Sequence, residues 1–182
     1  MAAIFAASSG ARTLLLERTR DGGRKILISG GGRCNILPAR LDEDRFVTDS
    51  SAHLLRRIVR SWPLREQVAF FEREAGIPLV EETDTAKLFP EAQSGRFVRD
   101  RLLDLAVRRG ATLVMESHVT GVAPVQDRWL ISREAADSIE ADAVIVATGG
   151  LSVPTTGSDG DGLRFAERFG HTVNAIYPAL TP

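Results

Sequence analysis

Apolar and polar positions change period several times along this chain, and the changes mark its elements. Met1 to Gly10 reads as the end of a helix, with Gly10 where a C-cap belongs. Ala11 to Glu17 follows as a strand: Thr13, Leu14, Leu15 and Leu16 form the continuous apolar run of a strand covered on both faces, and Glu17 places an acid at its carboxyl end. Residues 22–35 hold five glycines and no clean period, which predicts a loop with at most one helical turn around Lys25 to Ile28. Residues 51–76 read as helical. Ser51 is placed to cap a first segment running through Arg60, and Pro63 to open a second that Gly76 closes. Ile77 to Phe89 predicts one or two short strands. Ser94 then caps an amphipathic helix in which Phe97, Val98, Leu102, Leu105 and Ala106 recur at helical spacing before Gly110.

Three strand-like runs come next, at Ala111–Ser117, His118–Val125 and Arg128–Arg133. A polar break at Ala135–Ser138 precedes Ile139–Ala147, whose Ala143–Ala147 stretch looks like a central parallel strand ended by Gly149 and Gly150. Gly160 to Gly170 predicts a last helix, and Tyr177 to Pro182 an extended tail. The order suggests an α/β fold: an incomplete Rossmann-like domain over residues 1–182, with a small helical insertion at about 50–109 and a β-meander crossover. In a dinucleotide-binding βαβ unit an acid at a strand end accepts a ribose hydroxyl about 20 residues after the glycine-rich turn. Counting back from Glu17 reaches Met1 or earlier, so the expectation is a nucleotide fold whose first strand and glycine turn lie outside this chain.

Composition adds bounds. With 23 basic and 24 acidic residues the net charge is −1, so no electrostatic argument for nucleic acid or an anionic membrane follows. Arginines crowd at Arg56, Arg57 and Arg60, at Arg96, Arg99 and Arg101, and at Arg108 and Arg109, but acids lie among or close to them, as on solvated helix faces. One cysteine excludes an internal disulfide, and no apolar run reaches the roughly 18 residues a membrane span needs. The expectation is a cytoplasmic protein.

Four segments carry candidate chemistry. Glu17 is suited to a ribose; the bland alternative is a surface acid. Ser29, Gly30, Gly31, Gly32, Arg33, Cys34 and Asn35 form a loop whose N–H groups can cradle an anion, with Arg24, Lys25 and Arg33 supplying positive charge for a pyrophosphate. Thr148, Gly149 and Gly150 end a buried strand where open α/β sheets bind ligands. Gly157, Gly160 and Asp161 lead into a helix, with Asp161 either a cap or a hydroxyl acceptor. Cys34 beside Arg33 has no second cysteine or histidine nearby, so a structural role is the better reading. His53, His118 and His171 show no ligand spacing, so no metal site and no general base is expected.

Together, GRKILISGGGRCN (Gly23 to Asn35), KLFPEAQS (Lys87 to Ser94), ATGGLSVPTTGSDGDG (Ala147 to Gly162) and the ending GHTV…PALTP resemble the BaiN/YhiN-type FAD-dependent oxidoreductases, often labelled aminoacetone-oxidase-like. The resemblance implies a Rossmann-like FAD-binding lobe interrupted by a second lobe. It implies that Glu17 holds the adenosine ribose, and that Arg24, Lys25 and Ser29 to Asn35 line the pyrophosphate and flavin. It further implies that Val119 meets adenine through its backbone, and that Thr148 to Gly150 and Gly157 to Gly162 close over the cofactor. The family's GxGxxG turn would precede Met1 and its second lobe would follow Pro182, so truncation at both ends is the expectation.

The implied activity is hydride transfer by FAD on a small molecule, with NAD(P)H a possible electron donor; catalytic residues and oligomeric state stay open. Two alternatives stand beside it: a non-catalytic fragment that does not retain cofactor, and a nicotinamide-binding domain without flavin, for which the SGGGRCN segment has no obvious use.

Overall fold

The structure is a computed structural model and describes residues 1–47 and 51–177. The extended tail expected beyond Tyr177, with the PALTP ending, lies outside the described residues. The fold is mixed α/β and divides into two compact units, Met1–Arg24 with Arg109–Pro182, and Lys25–Arg108.

In the first unit, helix α1 (Ala2–Ser8) ends as its sequence predicts. Gly10 has φ +88°, its N–H donates to Ala7 O at 3.0 Å, and the Ala11 N–H reaches back to Ala6 O at 3.2 Å. These are the two bonds of a Schellman closure, whose left-handed residue glycine adopts without a Cβ penalty. Strand β1 (Leu14–Leu16) then pairs in parallel with β5 (Thr112–Val114), in register Leu14 with Thr112 and Leu16 with Val114. The predicted meander is present as an antiparallel sheet, β6 (Val119–Val125), β7 (Arg128–Arg133) and β8 (Ala136–Ala141), in sequential order. Helix α6 (Asp161–Arg168) closes the unit, with Phe169 stacked edge-on against Trp129 at 5.2 Å.

Two expectations fail here for the same reason. The polar stretch Ala136–Ser138 is strand, because Arg133 pairs with Ala136 and Ile131 with Ile139 across a tight turn at Glu134–Ala135. Conversely, Ala143–Ala147 is not strand among the described residues, and Ile145 and Val146 are 66% and 47% exposed. A strand exists through its ladder, and pairing overrides local composition in both directions.

The second unit begins with the short helix α2 (Arg24–Ile28) and a 3-10 turn, Ser29–Gly32. It continues through β2 (Leu37–Pro38), helices α3 (Ala52–Ser61) and α4 (Leu64–Ala69), and strands β3 (Leu79–Glu82) and β4 (Lys87–Pro90), to helix α5 (Gly95–Arg108). The helical insertion is expected at about 50–109, with one or two short strands at Ile77–Phe89; β3 and β4 fall in that stretch, while the unit itself starts at Lys25 and its sheet runs in the order β2–β4–β3. The pairing of Leu37 with Leu88 ties residues well before 50 into it. Its core holds Phe70, Phe71, Ile77, Phe89, Val98 and Leu105, all at most 8% exposed, and burial of each large side chain contributes about 1.5–3 kcal/mol. Phe70 meets Trp62 and Phe71 edge-on at 5.7 and 5.4 Å. Ser94 caps α5 as expected, accepting the Phe97 N–H at 3.3 Å.

Gly95 seats the start of α5 against the α2 turn: a Cβ there would lie 2.7 Å from Ile26 O and 3.0 Å from Gly32 O. Gly95→Ala gains about 1 kcal/mol of helix propensity, but backbone oxygens cannot give way as a flexible side chain would. The variant is expected to lose about 2 kcal/mol overall, read as a lower urea midpoint; an unchanged or higher midpoint contradicts this packing.

Candidate functional site

Parallel pairing brings the carboxyl ends of β1 and β5 to one edge, and the ladder runs on past both strands. The Glu17 N–H donates to Val114 O at 2.9 Å and the Ser117 N–H to Glu17 O at 2.8 Å. Beyond Glu17 the chain folds sharply. Glu17 Oε1 accepts from the Thr19 N–H at 2.7 Å and the Thr19 hydroxyl at 2.6 Å, and Thr19 Oγ1 in turn accepts the Gly22 N–H at 3.1 Å. Across from this turn the Glu116 N–H donates to Thr19 O at 3.2 Å. Between the two returning segments lies a cavity of about 470 Å³, lined by Arg18, Thr19, Arg20, Arg24, Glu116 and His118. Glu134 from the β7–β8 turn and Pro154, Thr155 and Gly157 complete its wall. A Cβ on Gly157 would sit 3.3 Å from Thr19 Cγ2, and the residue has φ +92°, so this loop approaches the turn as closely as glycine allows.

Charge is concentrated here. The Arg18 guanidinium pairs with the Asp159 carboxylate and lies 3.8 Å from Asp161. That pairing raises the Arg18 pKa and holds Asp159 below its ordinary value. His118 has a carboxylate at each ring nitrogen: Nδ1 is 2.9 Å from Glu134 Oε2 and Nε2 is 3.1 Å from Asp161 Oδ2. Hydrogen bonding to Glu134 first, then to Asp161, raises the imidazole pKa. An imidazole donates from both nitrogens only as a cation, so the geometry and the shift agree. Asp161 also pairs with Arg164. Ser117, 6% exposed, has a buried hydroxyl without a hydrogen-bond partner among the described residues.

The expected site residues fall into two groups. Glu17, Arg24, Val119, Thr148, Gly149, Gly150, Gly157, Gly160 and Asp161 belong to the first unit; Lys25 and Ser29 to Asn35 belong to the second. Glu17 stands at the carboxyl end of β1, and Arg24, which pairs with Asp21 at 2.9 Å, and Gly157 share the cavity wall. Val119 opens β6 opposite Arg133. Thr148 packs against Gly162, Gly149 approaches Ser158, and Gly160 (φ +86°) lies against Leu151. The N-cap of α6 is Gly160, and Asp161, its first residue, turns its carboxylate to His118 and Arg164.

In the second unit Gly30 and Gly31 take left-handed φ values of +55° and +68°. A Cβ on Gly30 would come within 2.9 Å of both Asn35 N and the Phe89 ring. Ser29 Oγ donates to Ile26 O. Arg33 is held by Glu82 at 2.8 Å and stacks on Phe89 at 4.3 Å. Cys34 is buried, and burial pushes its thiol pKa up, as a structural cysteine requires.

The sequence does not single out Arg18, Thr19, Arg20, Glu116, Ser117 or Glu134, offers Asp159 only as a charge beside the start of α6, and shows no metal-ligand spacing at His118. Among the described residues no group of three or more His, Cys, Asp or Glu could hold a metal ion. The one sequence signal for His118 was its place just before Val119, at the mouth of the parallel pair.

Comparison with known proteins gives a consistent picture. The family described as HI0933-like protein Rossmann domain matches residues 1–176. The 3-dehydro-bile acid delta(4,6)-reductase of Clostridium scindens is 28% identical over 182 residues, 99% of this chain and 43% of that protein. The ribosomal RNA dihydrouridine synthase of Escherichia coli is 28% identical over 180 residues, 98% of this chain and 43% of that protein. The chain therefore spans less than half the length of these curated relatives. The Diels-Alderase PyrE3 superposes on 85% of this chain and 31% of its own, at 16% identity and a TM-score of 0.47. Among the described residues no helix is long and apolar enough to cross a membrane.

The setting of Cys34 yields a direct expectation. A buried thiol of raised pKa should react with Ellman's reagent at least about 100-fold slower in the native protein than in urea at the same pH. Equal rates contradict the burial.

Proposed function

Since the chain belongs to the HI0933-like Rossmann family, we propose that it is the nucleotide-binding part of a flavin-dependent oxidoreductase and holds the adenosine half of FAD at the carboxyl ends of β1 and β5. The observation that carries this reading is a cavity of about 470 Å³, within the roughly 300–1,000 Å³ range of small-molecule sites, whose wall includes Arg18 and Thr19, the residues that follow the acid at the end of β1, with Thr19 hydrogen-bonded to that acid. The residues present fit such a group. Glu17 has one carboxylate oxygen committed to Thr19 and a second without a partner among the described residues, available to ribose hydroxyls. Ser117 has an orphaned hydroxyl beside Glu116 and His118, and a buried group of that kind costs about 1–3 kcal/mol until something bonds it.

In this reading Arg18, Arg20 and Arg24 bring positive charge to the cavity wall, Val119 offers its backbone to adenine, and Gly157 to Asp161 cover the ribose. Ser29 to Asn35, with Lys25, serve the pyrophosphate and flavin side. Thr148 to Gly150 close over the cofactor, Gly149 and Gly150 presenting backbone alone. When bound, the flavin supplies hydride chemistry, and these residues position it and exclude water. NAD(P)H as donor, a small molecule as acceptor and a cytoplasmic setting complete the proposal, as does the treatment of residues 1–182 as part of a larger FAD/NAD(P)-binding domain.

A second reading replaces the small molecule with RNA. It is favoured by the names of the Escherichia coli relative and of its Haemophilus influenzae counterpart, also a ribosomal RNA dihydrouridine synthase, 28% identical over 182 residues. The near-neutral charge balance therefore does not exclude nucleic acid. Retention of a ribosomal RNA fragment on a filter by this chain, lost above about 200 mM salt, would favour RNA.

FAD titration followed by quenching of flavin fluorescence tests the main reading. Saturable binding is expected, weakened about tenfold in Glu17→Ala and much less in Thr19→Val, which removes only the turn contact. Absence of binding to the wild-type chain favours the fragment that does not retain cofactor; equal affinity of wild type and Glu17→Ala removes the ribose assignment.

A further inference from the structure

The contacts around His118 join parts of the first unit that are distant in sequence. Glu134 lies 16 residues from it on the β7–β8 turn, and Asp161 lies 43 residues away as the first residue of α6. We propose that His118 is a positioning residue whose imidazolium clasps the β7–β8 turn to the start of α6, and so holds the Pro154–Gly157 loop over the cavity only while it carries its proton.

A neutral imidazole has one N–H and one lone pair. With a carboxylate at each nitrogen, loss of the proton keeps one hydrogen bond and turns the other contact into lone pair against carboxylate. The proton leaves to solvent and no other group changes state. Of the charged groups facing the ring, Glu134 and Asp161 favour the cation and Arg18 opposes it. Glu116, Arg20 and Arg24 stand on the same cavity wall.

Arg18 and Asp159 form a second tie on the same loop, and neither partner titrates near neutrality. The clasp is therefore half proton-dependent, so the loop should loosen rather than unfold. The other end of α6 stays docked through Phe169 on Trp129. The sign follows from the raised imidazole pKa. The clasp is fully present below the ordinary histidine value of about 6.5 and is lost as pH rises through the higher folded-state value.

The effect on nucleotide affinity rests on the proposed function, but the clasp itself does not. Hydrogen exchange of the Gly157–Phe165 amides, corrected for intrinsic rates and followed from pH 6 to pH 9 on the whole chain, tests it. Wild type should lose about tenfold protection in one titration step above pH 6.5. His118→Gln should show the unprotected level throughout, and His118→Lys should keep protection at both extremes without the step. Should His118→Gln not fold, Glu134→Gln carries the test, since removing the larger cause of the shift must move the step to lower pH. A wild type without the step, or a step that survives in His118→Gln, overturns the clasp. FAD affinity measured across the same range separates the two claims. A step in exchange with no FAD binding at any pH supports the clasp and defeats the nucleotide reading. FAD binding that ignores the step overturns the clasp's hold on the cavity.

Discussion

Leu14, Leu15 and Leu16 pair in parallel with Thr112, Leu113 and Val114, and a parallel ladder delivers both carboxyl ends to the same edge. That geometry puts Glu17 beside Ser117, turns Thr19 back under the acid, and sets Glu116 and His118 across from Arg18. An antiparallel pairing of the same segments would send the two returns to opposite ends of the sheet, and there would be no shared cavity. The ladder is short, and it is extended by the bonds from the Glu17 and Ser117 N–H groups, so the site residues themselves help hold the pairing they depend on.

Around that edge the chain balances charge closely. Arg18, Arg20, Arg24 and His118 face Glu116 and Glu134, while Asp159 comes in from the loop before α6 and Asp161 from its first residue. The side chains of these pairs are partly exposed, from 21% for Asp161 to 69% for Glu134, and individual pairs of that kind contribute about 0–1 kcal/mol to stability. Their value lies in placement: each pair ties a loop to a strand end, so loops with few apolar contacts acquire defined positions. The second unit solves its packing differently, with an aromatic core and an α5 start seated on carbonyl oxygens.

Elements with a local cause could be read from the sequence. Gly10 closes α1 because a left-handed residue is needed there, Ser94 caps α5, and the first two strands of the meander, β6 and β7, follow from the short strand-like runs before and after Gln126–Asp127. What could not be read was non-local. Ala136–Ser138 became strand because Arg133 and Ile131 offer it a ladder, whereas Ala143–Ala147, more apolar, has no ladder among the described residues. The tie of Leu37 to Leu88 moved the edge of the second unit. Glu17 stood out from its place at a strand end, but the role of His118 depends on two carboxylates brought in by tertiary structure. Asp161 shows the same limit from the other side, since the sequence allowed either a cap or a hydroxyl acceptor and did not foretell its partners His118 and Arg164.

The proposed function is the binding of an adenosine nucleotide at the shared edge of β1 and β5. The most direct measurement is an amide-resolved NMR titration of the ¹⁵N-labelled chain with FAD. The account predicts shifts that saturate together and cluster at Glu17–Arg20, Glu116–Val119 and Thr155–Asp161. Saturating shifts confined to residues 25–108, with those three segments unmoved, would contradict it.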